Sequence, residues 1–449
     1  MVLQENIPVP HFVLFPFIAQ GHIIPMIDIA KLLAQHGAIV TIFTTPKNAS
    51  RFTSVLSRAV SSGLQINLVT LNFPSEQAGL PDGCENFDMV DISKDIMYSL
   101  FHAVSLLHKS AEELFDKLLP KPNCIISDFC IPWTCQLAEK HQIPRISFHG
   151  FSCFCLHCVL KVHSSKILES VTSDSEYFTV PGIPHNIQVT KEQIPVAMEE
   201  ELLKKMHEAE MKSYGEIINT FEELEKEYVN DYKKERNDKV WCVGPVSLCN
   251  KDDLDKAERG NIASISEQNC LKFLDLYKPK SVVYVCLGSL CNLASSQLVE
   301  LALGLEETKM PFIWVIRDGT NKTQELEKWI TDEKFEERNK GRGLIIRGWA
   351  PQMVILSHPS IGGFLTHCGW NSTLEGISVG VPMVVKKESI KETICNVMDE
   401  GDEESKERRE RVSELSEIGK KAIEKDGSSY INMALLIQDI IQLQSKHKS

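Results

Sequence analysis

Residues 349–384, WAPQMVILSHPSIGGFLTHCGWNSTLEGISVGVPMV, decide how this chain folds. The apolar run IGGFLTH ends in a turn of small residues, and a helical pattern starts near Asn371. A strand, a tight turn and a helix start in that order leave unpaired backbone N–H groups at the carboxyl edge of a sheet, where they can receive an anion. The helix end adds about half a unit of positive charge. His367 lies in the turn, Gly369 lets the backbone come close, and Ser372 adds a hydroxyl donor. Upstream, Trp349 follows the run GLIIR and offers a face for a flat base, while Ala350 offers backbone groups to the base edge. Gln352 and Glu375 suit the hydroxyls of a ribose. No DxD-like acidic pair stands in the stretch, so the pattern predicts a nucleotide diphosphate site without a metal. Singly, a tryptophan also suits a core and an acid also suits a surface; joint spacing sets these residues apart.

Strand and helix patterns alternate on both sides of this stretch. SVVYVCLGSL, PFIWVIR, GLIIRGWA and VPMVV read as strands, with a helix through LVELALGL. The first half repeats the scheme: HFVLFPF, a loop IAQGHI, and a helix with Pro25 in its first turn and Gly37 closing it. IVTIFTT and LQINLVTL read as buried strands with one helical stretch, KNASRFTSVLSRAV, between them, followed by the strands NCIISDFC and IPRISFHG. The prediction is α/β: two doubly wound, Rossmann-like parallel-sheet domains facing a cleft. Residues 1–250 form the first domain and 251–430 the second, with 251–268 a polar linker. Residues 431–449 read as an amphipathic helix packing back on the first domain. The first loop has one glycine, so the G-x-G-x-x-G dehydrogenase fingerprint is absent, as is a Walker A lysine.

The composition narrows the function. A formal charge of −13 over 449 residues argues against nonspecific nucleic-acid or anionic-membrane binding. No run is long enough to span a membrane and no leader pattern opens the chain, so a cytoplasmic protein with 14 free cysteines is expected. The sequons at Asn48, Asn321 and Asn371 should then stay bare. The cluster Cys153, Cys155, His157 and Cys158 invites a zinc reading, but its apolar surroundings fit a buried helix of small hydrophobes.

At the first sheet's carboxyl edge stand two titratable residues. His22 lies in the first loop, just before a helix, and Asp128 ends the run NCIIS. An unperturbed histidine titrates near ~6.5, and a carboxylate that orients it stabilises its protonated form. With these residues in place, the chain closely resembles the plant secondary-product (family 1) UDP-glycosyltransferases. The resemblance extends over the opening loop, IISDFC, WCVGP, LGSL, the whole 349–384 box and GSSY near the end, and is strongest toward the branch acting on flavonoids, triterpenoids and cytokinins. It implies the GT-B architecture. It also implies His22 as general base with Asp128 as partner, and donor contacts from Ser289, Trp349, Ala350, Gln352, His367, Trp370, Asn371, Ser372 and Glu375. The implied reaction is inverting transfer from a UDP-sugar, with UDP-glucose expected, to a hydroxyl of a small lipophilic metabolite. No cofactor and no metal are implied, and a monomer is expected. Phe87, Phe129, Phe151 and Phe154 are candidates for the acceptor pocket.

One segment departs from the family pattern. After VPMVV the family continues into a tryptophan-proline segment and an acid–glutamine pair that grips the sugar. Here the chain runs into KKESIKETICNVMDEG, with Lys391 and Glu392 where the pair belongs. An internal deletion accounts for this; a splice variant, a misread exon and a truncated paralogue all produce it. The expected consequences are loss of a helix and part of a strand, exposed apolar surface, and weakened sugar transfer.

Overall fold

Every strand of the two large sheets runs parallel to its neighbours, which places all strand ends that can carry a site on one edge of each sheet. The computed structural model describes residues 9–91, 93–194, 200–289, 293–317, 321–384, 390–399 and 401–448. In chain order the strands are β1 (His11–Phe15), β2 (Ile39–Thr44), β3 (Ile66–Thr70), β4 (Cys124–Asp128), β5 (Arg145–His149), β6 (Tyr177–Thr179), β7 (Gln188–Thr190), β8 (Gly215–Ile218), β9 (Val240–Cys242), β10 (Val282–Cys286), β11 (Phe312–Ile316), β12 (Gly343–Arg347), β13 (Ile361–Thr366) and β14 (Met383–Val384). The first sheet has the order β3-β2-β1-β4-β5-β8-β9 and the second β12-β11-β10-β13-β14, with β6 and β7 a separate hairpin.

Alternating side chains divide the core of each sheet. Phe12 and Leu14 of β1 face one layer of helices, and Val13 and Phe15 face the other. The helix Ser428–Lys448 lays Met433, Leu436, Ile437 and Ile440 into the first of these layers, so the end of the chain packs on the first sheet. Helix α1 (Gln20–Gln35) ends as its sequence foretells: Gly37 takes φ +88°, and the N–H groups of Gly37 and Ala38 bond back to Ala34 and Leu33.

Several local expectations change. The stretch KNASRFTSVLSRAV is two helices, Pro46–Ser50 and Thr53–Ser61, broken at Arg51 and Phe52. β3 is an edge strand with Leu68 exposed, not a buried one; an apolar run does not say whether a second neighbour will cover it. The cysteine-rich segment does form a helix, Cys153–Ser165, but its four candidate ligands do not converge; Cys153 Sγ lies 3.9 Å from Cys242 Sγ instead.

Residues 385–389, where the pattern breaks, lie outside the described residues. The chain resumes in the helix Ile390–Met398, in which Lys391 and Glu392 are exposed and Lys391 pairs with Glu307. Within the helix where the chain resumes, the apolar side chains are covered. Ile394, Val397 and Met398 are buried against the sheet, because Gly362 and Gly363 of β13 leave room for Met398. Among the described residues the second sheet ends in β14, Met383–Val384.

Candidate active site

Both sheets change direction of strand order at one point, β1 beside β4 in the first and β10 beside β13 in the second. Such switch points open a crevice at the carboxyl edge. His22 follows β1 and Asp128 ends β4, Ser289 and residues 367–375 follow β10 and β13, and Trp349, Ala350 and Gln352 follow β12 at the same edge. A cavity of about 690 Å³ lies between the two edges and is lined by His22 on one side and by Ser289, Trp349, Ala350, Gln352, His367, Gly369, Trp370, Asn371, Ser372 and Glu375 on the other.

On the first-domain side, His22 sits inside the first turn of α1, not in a loop before it. Its Nδ1 is 2.7 Å from Asp128 Oδ2, with the histidine 21% exposed and the aspartate fully buried at the end of β4. Asp128 Oδ1 accepts the Cys130 N–H at 2.9 Å, so both carboxylate oxygens are fixed. Cys130 is near enough to make a third ligand to a cation. Burial, then Asp128, hold its thiol well above the usual cysteine range. With Nδ1 engaged, the imidazole offers Nε2 to the cavity that it lines. Phe17 packs edge-on to the ring at 5.4 Å. Of the four aromatic acceptor candidates only Phe151 lines the cavity. Phe87 packs on Phe17 and Phe101, Phe129 stacks on His149, and Phe154 meets Tyr228.

The second-domain side is built around an uncapped helix. Trp370–Val379 begins after Gly369, which has no side chain to cap it, so the first N–H groups remain available at the cavity wall. His367 is clamped by glycines: a Cβ on Gly288 or on Gly369 would lie 2.4 Å from its ring. Burial lowers the His367 pKa below 6.5, so near neutral pH the ring is an uncharged hydrogen-bond donor. Trp349 is fixed through its backbone, donating to Ser264 Oγ at 3.0 Å and accepting from Ser264 N–H at 2.8 Å. Gln352 and Glu375, expected to face a ribose independently, are joined: Gln352 Nε2 donates to Glu375 Oε2 at 2.7 Å. Trp370 Nε1 donates to the Asn219 carbonyl at 2.7 Å, so this tryptophan fastens the two domains as well as lining the cavity.

Two features escape a linear reading. Residues 251–268 are more than a linker: Arg259, Asn261 and Ser264 line the cavity and bond to both domains. The other involves Pro25, which lies inside α1 and lacks the N–H that would bond to the Gly21 carbonyl. Asn371 Nδ2 uses that carbonyl instead, at 2.7 Å across the cleft. The sequon at Asn48 is fully buried, its amide bonded to Thr45 Oγ1 and to the Glu85 carbonyl.

Two facing parallel-sheet domains with a histidine–carboxylate pair on one lip and an anion-ready helix start on the other define a two-domain group-transfer architecture. The family model described as "UDP-glucoronosyl and UDP-glucosyl transferase" matches residues 159–387, and the one described as "Glycosyltransferase, N-terminal domain" matches residues 9–248. UDP-glycosyltransferase 73C6 of Arabidopsis thaliana is 49% identical, with 98% of each chain covered. UDP-glycosyltransferase 73C25 of Barbarea vulgaris is 48% identical, covering 96% of this chain and 97% of its own. The crystal structure of Glycyrrhiza uralensis UGT73P12 complexed with glycyrrhetinic acid 3-O-monoglucuronide superposes with a TM-score of 0.86 at 34% identity, covering 98% of both chains. Arabidopsis thaliana UGT89C1 complexed with UDP-L-rhamnose gives 0.75 at 27% identity, covering 97% of this chain and all of its own. The chain therefore belongs to the plant family 1 UDP-glycosyltransferases, enzymes that glycosylate small molecules from a UDP-sugar. The alignment with the 73C6 protein runs over 489 positions while the chain holds 449 residues, so at least 40 of those positions have no counterpart here.

Proposed function

We propose that this chain takes UDP-glucose and directs the glucosyl group to a hydroxyl of a small lipophilic plant metabolite, such as a flavonoid or terpenoid, with inversion at the anomeric carbon. The supporting observation is that His22, backed by Asp128, and the uncapped helix start with His367 line one cavity from opposite sides. His22 Nε2 takes the proton of the acceptor hydroxyl, whose oxygen attacks the anomeric carbon. The bond to the UDP oxygen breaks on the opposite face, and the departing diphosphate is received by the free N–H groups of residues 370–372, Ser372 Oγ and His367. Trp349 and Ala350 hold the base, Gln352 and Glu375 the ribose, and Ser289 adds a contact near the phosphates or sugar. The protein acts in the cytoplasm as a monomer.

Transfer is weakened by the altered segment. Hydrogen bonds involving a charged group are worth about 1.5–3 kcal/mol each, so loss of even two costs roughly a hundredfold or more in rate or affinity. The missing alignment positions and the exposed Lys391 and Glu392 support this reading. They also favour a second one, a nucleotide-binding relative that does not turn over. Purified protein, a flavonoid and terpenoid panel, and UDP-glucose, UDP-rhamnose and UDP-glucuronate as donors test both. Turnover within tenfold of full-length relatives overturns the impairment; UDP binding by calorimetry without turnover supports the second reading; no UDP binding overturns both.

A further inference from the structure

The segment joining the two domains carries a charged side chain that the transfer chemistry above does not use. Arg259 lines the cavity, yet its side chain is only 9% exposed. Nε and Nη2 each lie 2.8 Å from Asp28 Oδ2, and Nη1 pairs with Glu375 Oε1. Asp28 is itself buried, does not line the cavity, and sits in α1 six residues after His22. Its other oxygen accepts from Asn250 Nδ2 at 2.8 Å. Burial works against the Arg259 charge, but Asp28 and Glu375 outweigh it and hold the guanidinium above the usual arginine range. One guanidinium thus joins the helix that carries the proposed base to the carboxylate proposed for the ribose.

The chemistry of the three groups fits this bridge. A buried carboxylate without counter-charge is strongly unfavourable, and Glu375 is almost wholly buried. A carboxylate offers about four lone-pair positions. Arg259 bonds to one oxygen and Gln352 to the other, which leaves positions for two further donors, the number that a vicinal diol supplies. The planar arginine fork can hold two carboxylates at once, whereas a lysine is a single point charge.

We propose that Arg259 is a positioning residue for the transfer reaction: it holds Glu375 in the orientation that receives the ribose diol and ties that carboxylate, through Asp28, to the helix bearing His22. This rests on the reading that the cavity binds a UDP-sugar. The test is calorimetry of wild type, R259K, R259Q, D28N and the R259Q/D28N double variant with UDP and with 2′,3′-dideoxy-UDP, which lacks the diol. R259Q is expected to weaken UDP about tenfold or more. R259K recovers part of that loss. D28N, remote from the nucleotide, weakens UDP by a smaller factor, and the double variant is no worse than R259Q alone. Affinity for the dideoxy compound barely changes in any of them, an outcome that general loosening of the fold would not give. Hydrogen exchange adds a second readout: UDP slows exchange in residues 20–35 of the wild type and fails to do so in R259Q at saturating UDP. Unchanged or tighter UDP binding in R259Q, equal losses for UDP and the dideoxy compound, or additive effects of R259Q and D28N would overturn the proposal. If wild type itself does not bind UDP, the functional reading falls first and this one with it.

Discussion

His22 and His367 both lie close to a switch point, His22 in the first turn of the helix after β1 and His367 in the turn directly after β13, and their surroundings differ sharply. His22 has a buried carboxylate 2.7 Å from one nitrogen, so a proton taken up at the other is compensated. His367 has burial and two close glycines, which remove the water that would stabilise a charge and fix the ring without offering it a counter-ion. On the proposed reading the same side chain serves as a proton acceptor on one lip and as a neutral donor on the other. A histidine's role follows from what stands behind it, and residue type alone does not reveal that.

The contrast can be broken most directly at His22. H22A is expected to lower sugar transfer about 10²–10⁴-fold below the parent chain while UDP affinity stays within a factor of about two, measured by turnover and calorimetry. D128N keeps the shape and removes the charge. Its transfer rate should fall about 10²-fold, again without loss of UDP. A comparable loss of UDP binding in either variant would mean that the two lips do not divide the work. On the other lip, G288A forces a Cβ against the His367 ring at a position with φ +80°, and UDP affinity should drop about tenfold. H22A and G288A therefore separate rate from binding.

The smallest expected effect is on stability. The folded-state pKa of His367 lies below the unfolded value of ~6.5, so the unfolded chain takes up a proton that the folded site refuses. Its contribution to stability is full above that unfolded value and declines as pH falls toward the folded one. Replacing it, as in H367N, should flatten the fall in melting temperature between about pH 7 and pH 5 relative to wild type. A steeper fall in the variant would mean that the ring is charged in the folded protein.

Much of this was legible in the sequence where pattern and chemistry coincide. The β-branched runs separated by helical periods specify two parallel sheets, and the 349–384 box places its residues together because one strand, one turn and one helix bring them there. His22 and Asp128 are 106 positions apart, yet one lies in the helix after β1 and the other ends β4, and those strands pair directly, so sheet order brings them together. Arg259 was not legible. A polar run between domains has the composition of a solvated tether, and its burial arises only when Asp28 and Glu375 arrive from different domains to neutralise it. The pairing of Gln352 with Glu375 was hidden for a related reason: each suits a ribose, and only the fold shows that they also suit each other. The exposure of β3 and the packing of Met398 over Gly362 and Gly363 likewise depend on neighbours that no local window contains.

Pro25 carries a consequence beyond helix geometry. By withholding one rung of α1, it leaves a main-chain acceptor pointing at the opposite domain, and Asn371 occupies it. Docking of the two halves there is addressed to the peptide backbone, so residue 21 is free to change while residue 25 is not. An alanine at 25 would bring its own N–H to that oxygen, in competition with Asn371 for it, and so weaken the contact between the two halves.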